Sequence, residues 1–140
     1  MEQIIIRGRR VFRGQAKGEA LVCTEGLGTF GSINEATGIV TERGHAIFGE
    51  CIAGKILVFP FGKGSSAWGR SFQMIAFNGV APKAMLIGEV DSRTALGAVV
   101  GRVPSVTDFD IDPFSVIETG DEVEVNADEG LIIVTKKGKD

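Results

Sequence analysis

The sequence has 140 residues, 44% of them hydrophobic and 24% charged, a globular balance that excludes a disordered chain. A net charge of −3 with both signs interspersed excludes the usual basic nucleic-acid surface, so no nucleic-acid partner is expected. The one positive cluster, Arg7 to Arg13, reads as a solvated strand edge.

No secretory signal or membrane span is legible. The opening MEQIII is too short for either, and its arginines follow the apolar run where a signal peptide would put them first. Cys23 and Cys51 form no CxxC pair and His45 is the one histidine, so no metal site is expected on this chain. Both thiols are expected to be reduced and part-buried, in a cytoplasmic protein without a membrane partner. The length suits one domain spanning residues 1–140.

Alternation over Gln3 to Phe12 and over Gly18 to Cys23 predicts strands in the N-terminal third. GLGTFGSINEATG follows as a loop-rich connection, and Gly38 to Thr41 predicts a further short strand. Lys55–Phe61 is a continuous apolar run with β-branched and aromatic members, hence a buried strand. Phe72, Ile75 and Ala76, with Trp68 one turn earlier, mark the buried face of a helix. Ser65 or Ser66 is its expected N-cap, and Asn78-Gly79 its stop. After Pro82 a second apolar strand covers Lys83–Gly88, completing a parallel, right-handed βαβ unit. Arg93 to Val100 reads as a short helix and RVPSV as a short strand. Asp112-Pro113 opens a brief turn through Ile117. GDEVEVNADEGLIIVTKK is strand, turn, strand around Asp128-Glu129-Gly130, and the final KKGKD reads as a frayed tail. The fold class is therefore mixed α/β, a β-rich sandwich or half-barrel with a βαβ unit and outer helices.

The chemistry concentrates at Gly62-Lys63-Gly64-Ser65-Ser66, where a buried strand runs into a helix. Gly62, Gly64 and Ala67 satisfy the dinucleotide spacing GxGxxA, with Glu89 or Asp91 as a ribose-binding acid, but the repeating βα context of that motif is missing. A Walker phosphate loop is excluded, because Lys63 lies between the glycines instead of before Ser or Thr. A third reading is an anion site at a helix N-terminus. There N–H groups of Ser65, Ser66 and Ala67 face a ligand, Lys63 adds a mobile positive charge, and a serine oxygen in that field can take a proton from carbon. Against it stands the plain alternative in which Ser65 only caps the helix and Gly64 only turns the chain.

Other residues invite less. His45 reads as a loop histidine without a partner. Asp108, Asp110 and Asp112 lack the glycine and distal glutamate of a calcium loop and read as turn and cap residues. Glu118, Asp121, Glu122 and Glu124 read as a solvated hairpin face. Trp68 reads as a packing anchor that could also wall a pocket.

Taken in order, Lys17–Val22, Ala36–Val40, Gly49–Ser66, Asn78–Ala84, Ala95–Val106 and Asp112–Gly130 closely resemble the small subunit of the aconitase X family. That subunit is the swivel domain of a split, aconitase-like dehydratase. The resemblance implies a swivelling β/β/α fold and a heterodimer with a large subunit. It also implies a 4Fe-4S cluster on that large subunit, none on this chain, and an active site between the two. It implies that Ser65 is the proton acceptor, that Lys63, Gly64 and Ser66 bind substrate, and that the chain is inactive alone. The two-subunit archaeal form, which the chain resembles best, dehydrates 5-phosphomevalonate to trans-anhydromevalonate 5-phosphate in a modified mevalonate pathway of isoprenoid synthesis. A bacterial branch dehydrates cis-3-hydroxy-L-proline. In either case the small-molecule substrate is a hydroxy acid. The sequence departs from the family in Ala67-Trp68-Gly69-Arg70 after the serine pair and in Asn34 where aspartate would stand. From other classes come a non-catalytic swivel module and a phosphohistidine carrier, and the second fails because no histidine opens a helix. A swivel subunit is further expected to expose an apolar patch around Gly62–Trp68 for its partner.

Overall fold

The computed structural model describes residues 2–64 and 66–138, so Ser65 and the last two residues of the predicted tail lie outside the described residues. Two strands open the chain, β1 (Gln3–Arg7) and β2 (Arg9–Phe12). The alternating pattern runs through both, but Gly8 divides them. A Cβ at Gly8 would sit 2.6 Å from the Thr107 carbonyl and 2.7 Å from Val106, and its N–H donates to Gly130 O at 2.8 Å.

The remaining elements are β3 (Gln15–Val22), β4 (Ile56–Phe61), α1 (Trp68–Phe77), β5 (Ala84–Glu89), α2 (Ser92–Gly101), β6 (Ser105–Thr107), α3 (Pro113–Val116), β7 (Glu122–Asn126) and β8 (Leu131–Thr135). They make one eight-stranded sheet in the order β1-β8-β7-β3-β4-β5-β6-β2. β1 and β2 stand at opposite ends of that order yet are joined through Gly8 alone, so the sheet curls until its ends meet. β3 changes partner along its length, antiparallel to β7 from Gln15 to Glu19 and parallel to β4 from Ala20 to Val22. One half of the molecule is thus an antiparallel meander and the other a parallel βα layer. The sequence shows one βαβ unit. The structure has two in succession, because β4, β5 and β6 are all parallel and α2 bridges the second pair.

The apolar runs of β4 and β5 are continuous because both their faces are covered. Ile56, Val58, Ala84 and Leu86 point into a core enclosed by the curled sheet, with Ile6, Val123 and Val134. Leu57, Phe59, Met85 and Ile87 point the other way, against α1, α2 and the long connection between β3 and β4.

Three expectations are corrected. Gly38–Thr41 forms only isolated bridges, Ile33 to Val40 and Ile39 to Cys51, because this connection spends its hydrogen bonds on tight turns. Asp121 is buried and not part of a solvated face. It accepts hydrogen bonds from the Glu118 and Lys137 N–H groups, both at 2.8 Å, and from Lys136 Nζ at 2.6 Å. Lys136 and Lys137 are for the same reason part of the fold and not a frayed tail, and Lys136 N also donates to Glu2 O at 2.9 Å. The hairpin turn at residues 127–130 and the Asp112 cap on α3 form as predicted. No helix among the described residues is long and apolar enough to cross a membrane.

Candidate functional site

β4 and β5 end on the same edge of the parallel layer, the edge where open α/β sheets present ligand sites. The Gly62–Ser66 segment leaves β4 there. The backbone of its first three residues is held by three other parts of the chain. Leu27 pairs with Gly62 as a parallel bridge, donating to Phe61 O and accepting from Lys63 N, each at 3.0 Å. Lys63 O accepts from Trp68 Nε1 at 3.2 Å. Gly64 O accepts from Arg93 Nη1 at 2.7 Å.

Each glycine has a separate reason. Gly62 is buried, and a Cβ on it would lie 2.5 Å from Thr94 Cγ2 and 3.1 Å from the Trp68 ring. It is small to let α2 and Trp68 close on the strand end, not to let a ligand in. Gly64 is exposed, has open space around it and a φ of +94°, so its requirement is conformational. Ser66 follows as an exposed turn residue.

The expected N-cap is corrected for Ser66, and at Ser65 it lies outside the described residues. α1 begins at Trp68 with Ala67 as N-cap, and no side chain of the described residues caps it. Ala67 has a helical φ of −72° and ψ of −5°, whereas a serine cap needs extended backbone to turn its oxygen onto the N–H groups. The helix and its first-turn donors therefore start at Trp68. The Asn78-Gly79 stop is as expected, with Gly79 at φ +72°. Trp68 is fully buried, stacked between Phe59 and Phe72 with ring centroids 5.7 and 5.2 Å away. It is an anchor within the core. Arg70 points to solvent one turn into the helix.

Lys63 is not the mobile charge expected. Its ammonium lies 2.8 Å from Glu42 Oε2, and Glu42 Oε1 accepts from Ser32 Oγ at 2.9 Å. The Lys63 and Ser32 hydrogen bonds hold the Glu42 carboxyl below the usual carboxylate range, and Glu42 in turn raises Lys63 above the ordinary ammonium value. Beside this chain of contacts is a cavity of about 150 Å³, lined by Gly28, Thr29, Phe30, Ser32, Lys63 and Gly64. The apolar patch expected around Gly62–Trp68 is displaced from those two buried residues. Exposed apolar groups by the segment include Phe30, 79% exposed at the cavity, and Phe61, 44% exposed at the end of β4.

The dinucleotide reading has no support in this geometry. Asp91 caps α2 instead, accepting from the Arg93 and Thr94 N–H groups, with Thr94 closing a capping box. Its carboxylate also holds Arg93 in a two-point ion pair at 2.6 and 3.0 Å, which aims that guanidinium at Gly64. Burial would raise Asp91, but the Arg93 and Thr94 hydrogen bonds outweigh it and keep its carboxyl low.

His45, expected to lack a partner, is buried and fully used. Its Nε2 donates to Gly26 O at 2.9 Å, and its Nδ1 accepts from Ile47 N at 3.3 Å. Cys23 lies 4.0 Å from the same ring, and burial pushes its thiol up, away from the reactive thiolate. Both belong to the scaffold under the site. Asn34 is also structural, its Oδ1 accepting from Ala36 N at 2.9 Å and Thr37 N at 3.2 Å. Glu42, Ser32 and Arg93 are the residues that the sequence did not point to. The first two sit far from Lys63 along the chain, with no periodicity linking them. For Arg93 a signal did exist, since Asp91 and Thr94 spell a capping box.

Among the described residues no group of three or more His, Cys, Asp or Glu could hold a metal ion, and the two cysteines fall short of the thiolate set of an iron–sulfur cluster. The residues of this chain do not fit such a cluster.

Comparison with known proteins fits this geometry. Residues 5–134 match the model of the aconitase X swivel domain. A protein of Methanococcoides burtonii named phosphomevalonate dehydratase small subunit is 39% identical over 94% of this chain and 96% of its own length. A protein of the same name from Thermococcus gammatolerans is 42% identical, over 92% and 96%. The crystal structure of Thermococcus kodakaraensis aconitase X in its holo-form is 38% identical and superposes with a TM-score of 0.89, over 95% of this chain and 99% of that one. A solution structure of a UPF0107 protein superposes with a TM-score of 0.85 at 41% identity, over 95% and 100%.

Proposed function

The chain belongs to the aconitase X swivel domain family, and on that premise we propose that it is the small subunit of a two-subunit hydro-lyase. Its substrate in this reading is (R)-5-phosphomevalonate, dehydrated to trans-anhydromevalonate 5-phosphate. The observation that carries the reading is the Gly62–Ser66 segment. It leaves a parallel strand at the ligand edge of the sheet, is pinned at Lys63 and Gly64, and borders a small cavity beside a cationic side chain. Support for the substrate comes from near full-length relatives that carry the name phosphomevalonate dehydratase small subunit.

Residues 1–140 act as one swivel domain docking on a large subunit in the cytoplasm. That subunit carries the iron–sulfur cluster, which when bound supplies a Lewis acid for the departing hydroxyl. Ser65 accepts the proton from carbon. Lys63 meets an anionic group of the substrate, and the N–H groups of Gly64 and Ser66 add donors around it. Phe30 and Phe61, exposed at this edge, lie where the two subunits meet.

The test is turnover of 5-phosphomevalonate by the chain co-expressed anaerobically with its large subunit. Each subunit alone should be inactive and the complex active. An intact, cluster-loaded complex that ignores phosphomevalonate but dehydrates cis-3-hydroxy-L-proline would replace the substrate assignment.

A further inference from the structure

Lys63 does not reach the cavity as a free side chain. Its side chain is 42% exposed, and its ammonium is held by a single carboxylate, that of Glu42, whose side chain is 30% exposed. Glu42 is itself braced from the far side by the Ser32 hydroxyl at 2.9 Å. Ser32 has its own backbone fixed, donating to Thr29 O at 3.0 Å and accepting from Thr41 N at 2.8 Å, next door to Glu42. Even Gly28 fits this chain of contacts, because a Cβ there would press on Ser32 Oγ at 2.9 Å.

A four-carbon amine on a loop samples many rotamers, and ordering it on substrate binding costs affinity. The Ser32–Glu42 pair removes that freedom beforehand. It leaves the ammonium in place at the cavity wall, with donors to spare, since a lysine has three and Glu42 takes one. The other titratable groups facing the pair are Glu25, His45 and Cys23. His45 and Cys23 are buried in scaffold contacts, and Glu25 is occupied at His45 Nε2, 3.3 Å away. Glu42 alone among them touches Lys63.

We propose that Glu42, braced by Ser32, is a positioning residue that presets Lys63 at the cavity wall to receive the anionic group of the substrate. The proposal rests on the functional reading above and adds to it a residue that acts only through Lys63. It therefore predicts strong coupling between the two positions.

The experiment is a double-mutant cycle on the two-subunit enzyme with 5-phosphomevalonate, using wild type, Glu42→Gln, Lys63→Ala and the double variant. Glu42→Gln should raise KM about tenfold or more with a smaller change in kcat, and should change kcat/KM less than about twofold once Lys63 is already alanine. Ser32→Ala should give the same pattern more weakly. An equal loss in both backgrounds overturns the proposal, and so does unchanged or improved KM in Glu42→Gln, which would make the ion pair inert or a brake. A second measurement needs no substrate. By NMR of the isolated subunit, the Lys63 ammonium protons should exchange more slowly in wild type than in Glu42→Gln, and equal lability would overturn the proposal by itself. A wild-type complex that is inert on phosphomevalonate would instead refute the substrate reading, and the cycle would then be run on the hydroxy acid it does dehydrate.

Discussion

Two ion pairs in this molecule have the same composition and different surroundings. Asp121 and Lys136 join the end of β8 to the turn before β7. The Asp121 side chain is 1% exposed and that of Lys136 19%, and two backbone N–H groups complete the carboxylate shell. Glu42 and Lys63 join two loops at the ligand edge and are both appreciably exposed, and Lys63 lines a cavity there. The first pair is largely buried, with its carboxylate closed off by protein donors. The second is open on one side, which is where a substrate can approach. The same chemistry thus acts as a staple in the antiparallel half and as part of a site in the parallel half.

The sharpest way to separate the halves is to act on the site alone. Ser65→Ala should cost about 10²–10⁴-fold in kcat, as loss of a general base does, while the heterodimer still assembles. Undiminished turnover would leave Ser65 without a chemical role. Next in size is the staple. Asp121→Asn leaves the largely buried Lys136 ammonium with only the exposed Glu118 carboxylate, 3.2 Å away, and should lower stability by about 3 kcal/mol at neutral pH, read by chemical denaturation. Burial raises Asp121, but the Lys136 hydrogen bond and the two N–H groups outweigh it, so its folded pKa lies below the ordinary aspartate value. The advantage of wild type over the variant is therefore full above the ordinary aspartate range and shrinks as pH falls through the depressed value. A gap that stayed constant into acid would show that the charge is not the source. Smaller again is Arg93→Ala, which frees the Gly64 carbonyl. Loss of one charge-assisted hydrogen bond at the loop should lower kcat/KM about tenfold. Arg93→Lys should restore little, because a lysine cannot hold Asp91 at two points.

Much of the parallel half was legible because its signals are local. The unbroken apolar runs Ile56–Phe61 and Ala84–Glu89, the Asn78-Gly79 stop and the helix face of Phe72 and Ile75 all follow from sequence spacing. The family was legible too, from stretches that run in order along the chain. What was missed depends on contacts between distant segments. Gly8 looks like any glycine until Thr107 and Val106 are seen to press on it. Asp121 looks like a surface acid until Lys136 folds over it. Glu42 carries no periodic or motif signal, and only the folded loop brings it to Lys63. A cap at Ser66 was misread for a different reason. Helix-start statistics favour a serine there, but the backbone is already helical at the next residue, Ala67.

One paired measurement tests the contrast directly: turnover and unfolding free energy for Glu42→Gln and Asp121→Asn, each assembled with the large subunit. The account predicts a crossed result. Glu42→Gln loses activity through KM and keeps stability within about 1 kcal/mol, as expected for an exposed pair. Asp121→Asn loses stability and keeps the turnover of its folded fraction. Two variants that lost activity and stability in the same proportion would contradict it, because both pairs would then be staples.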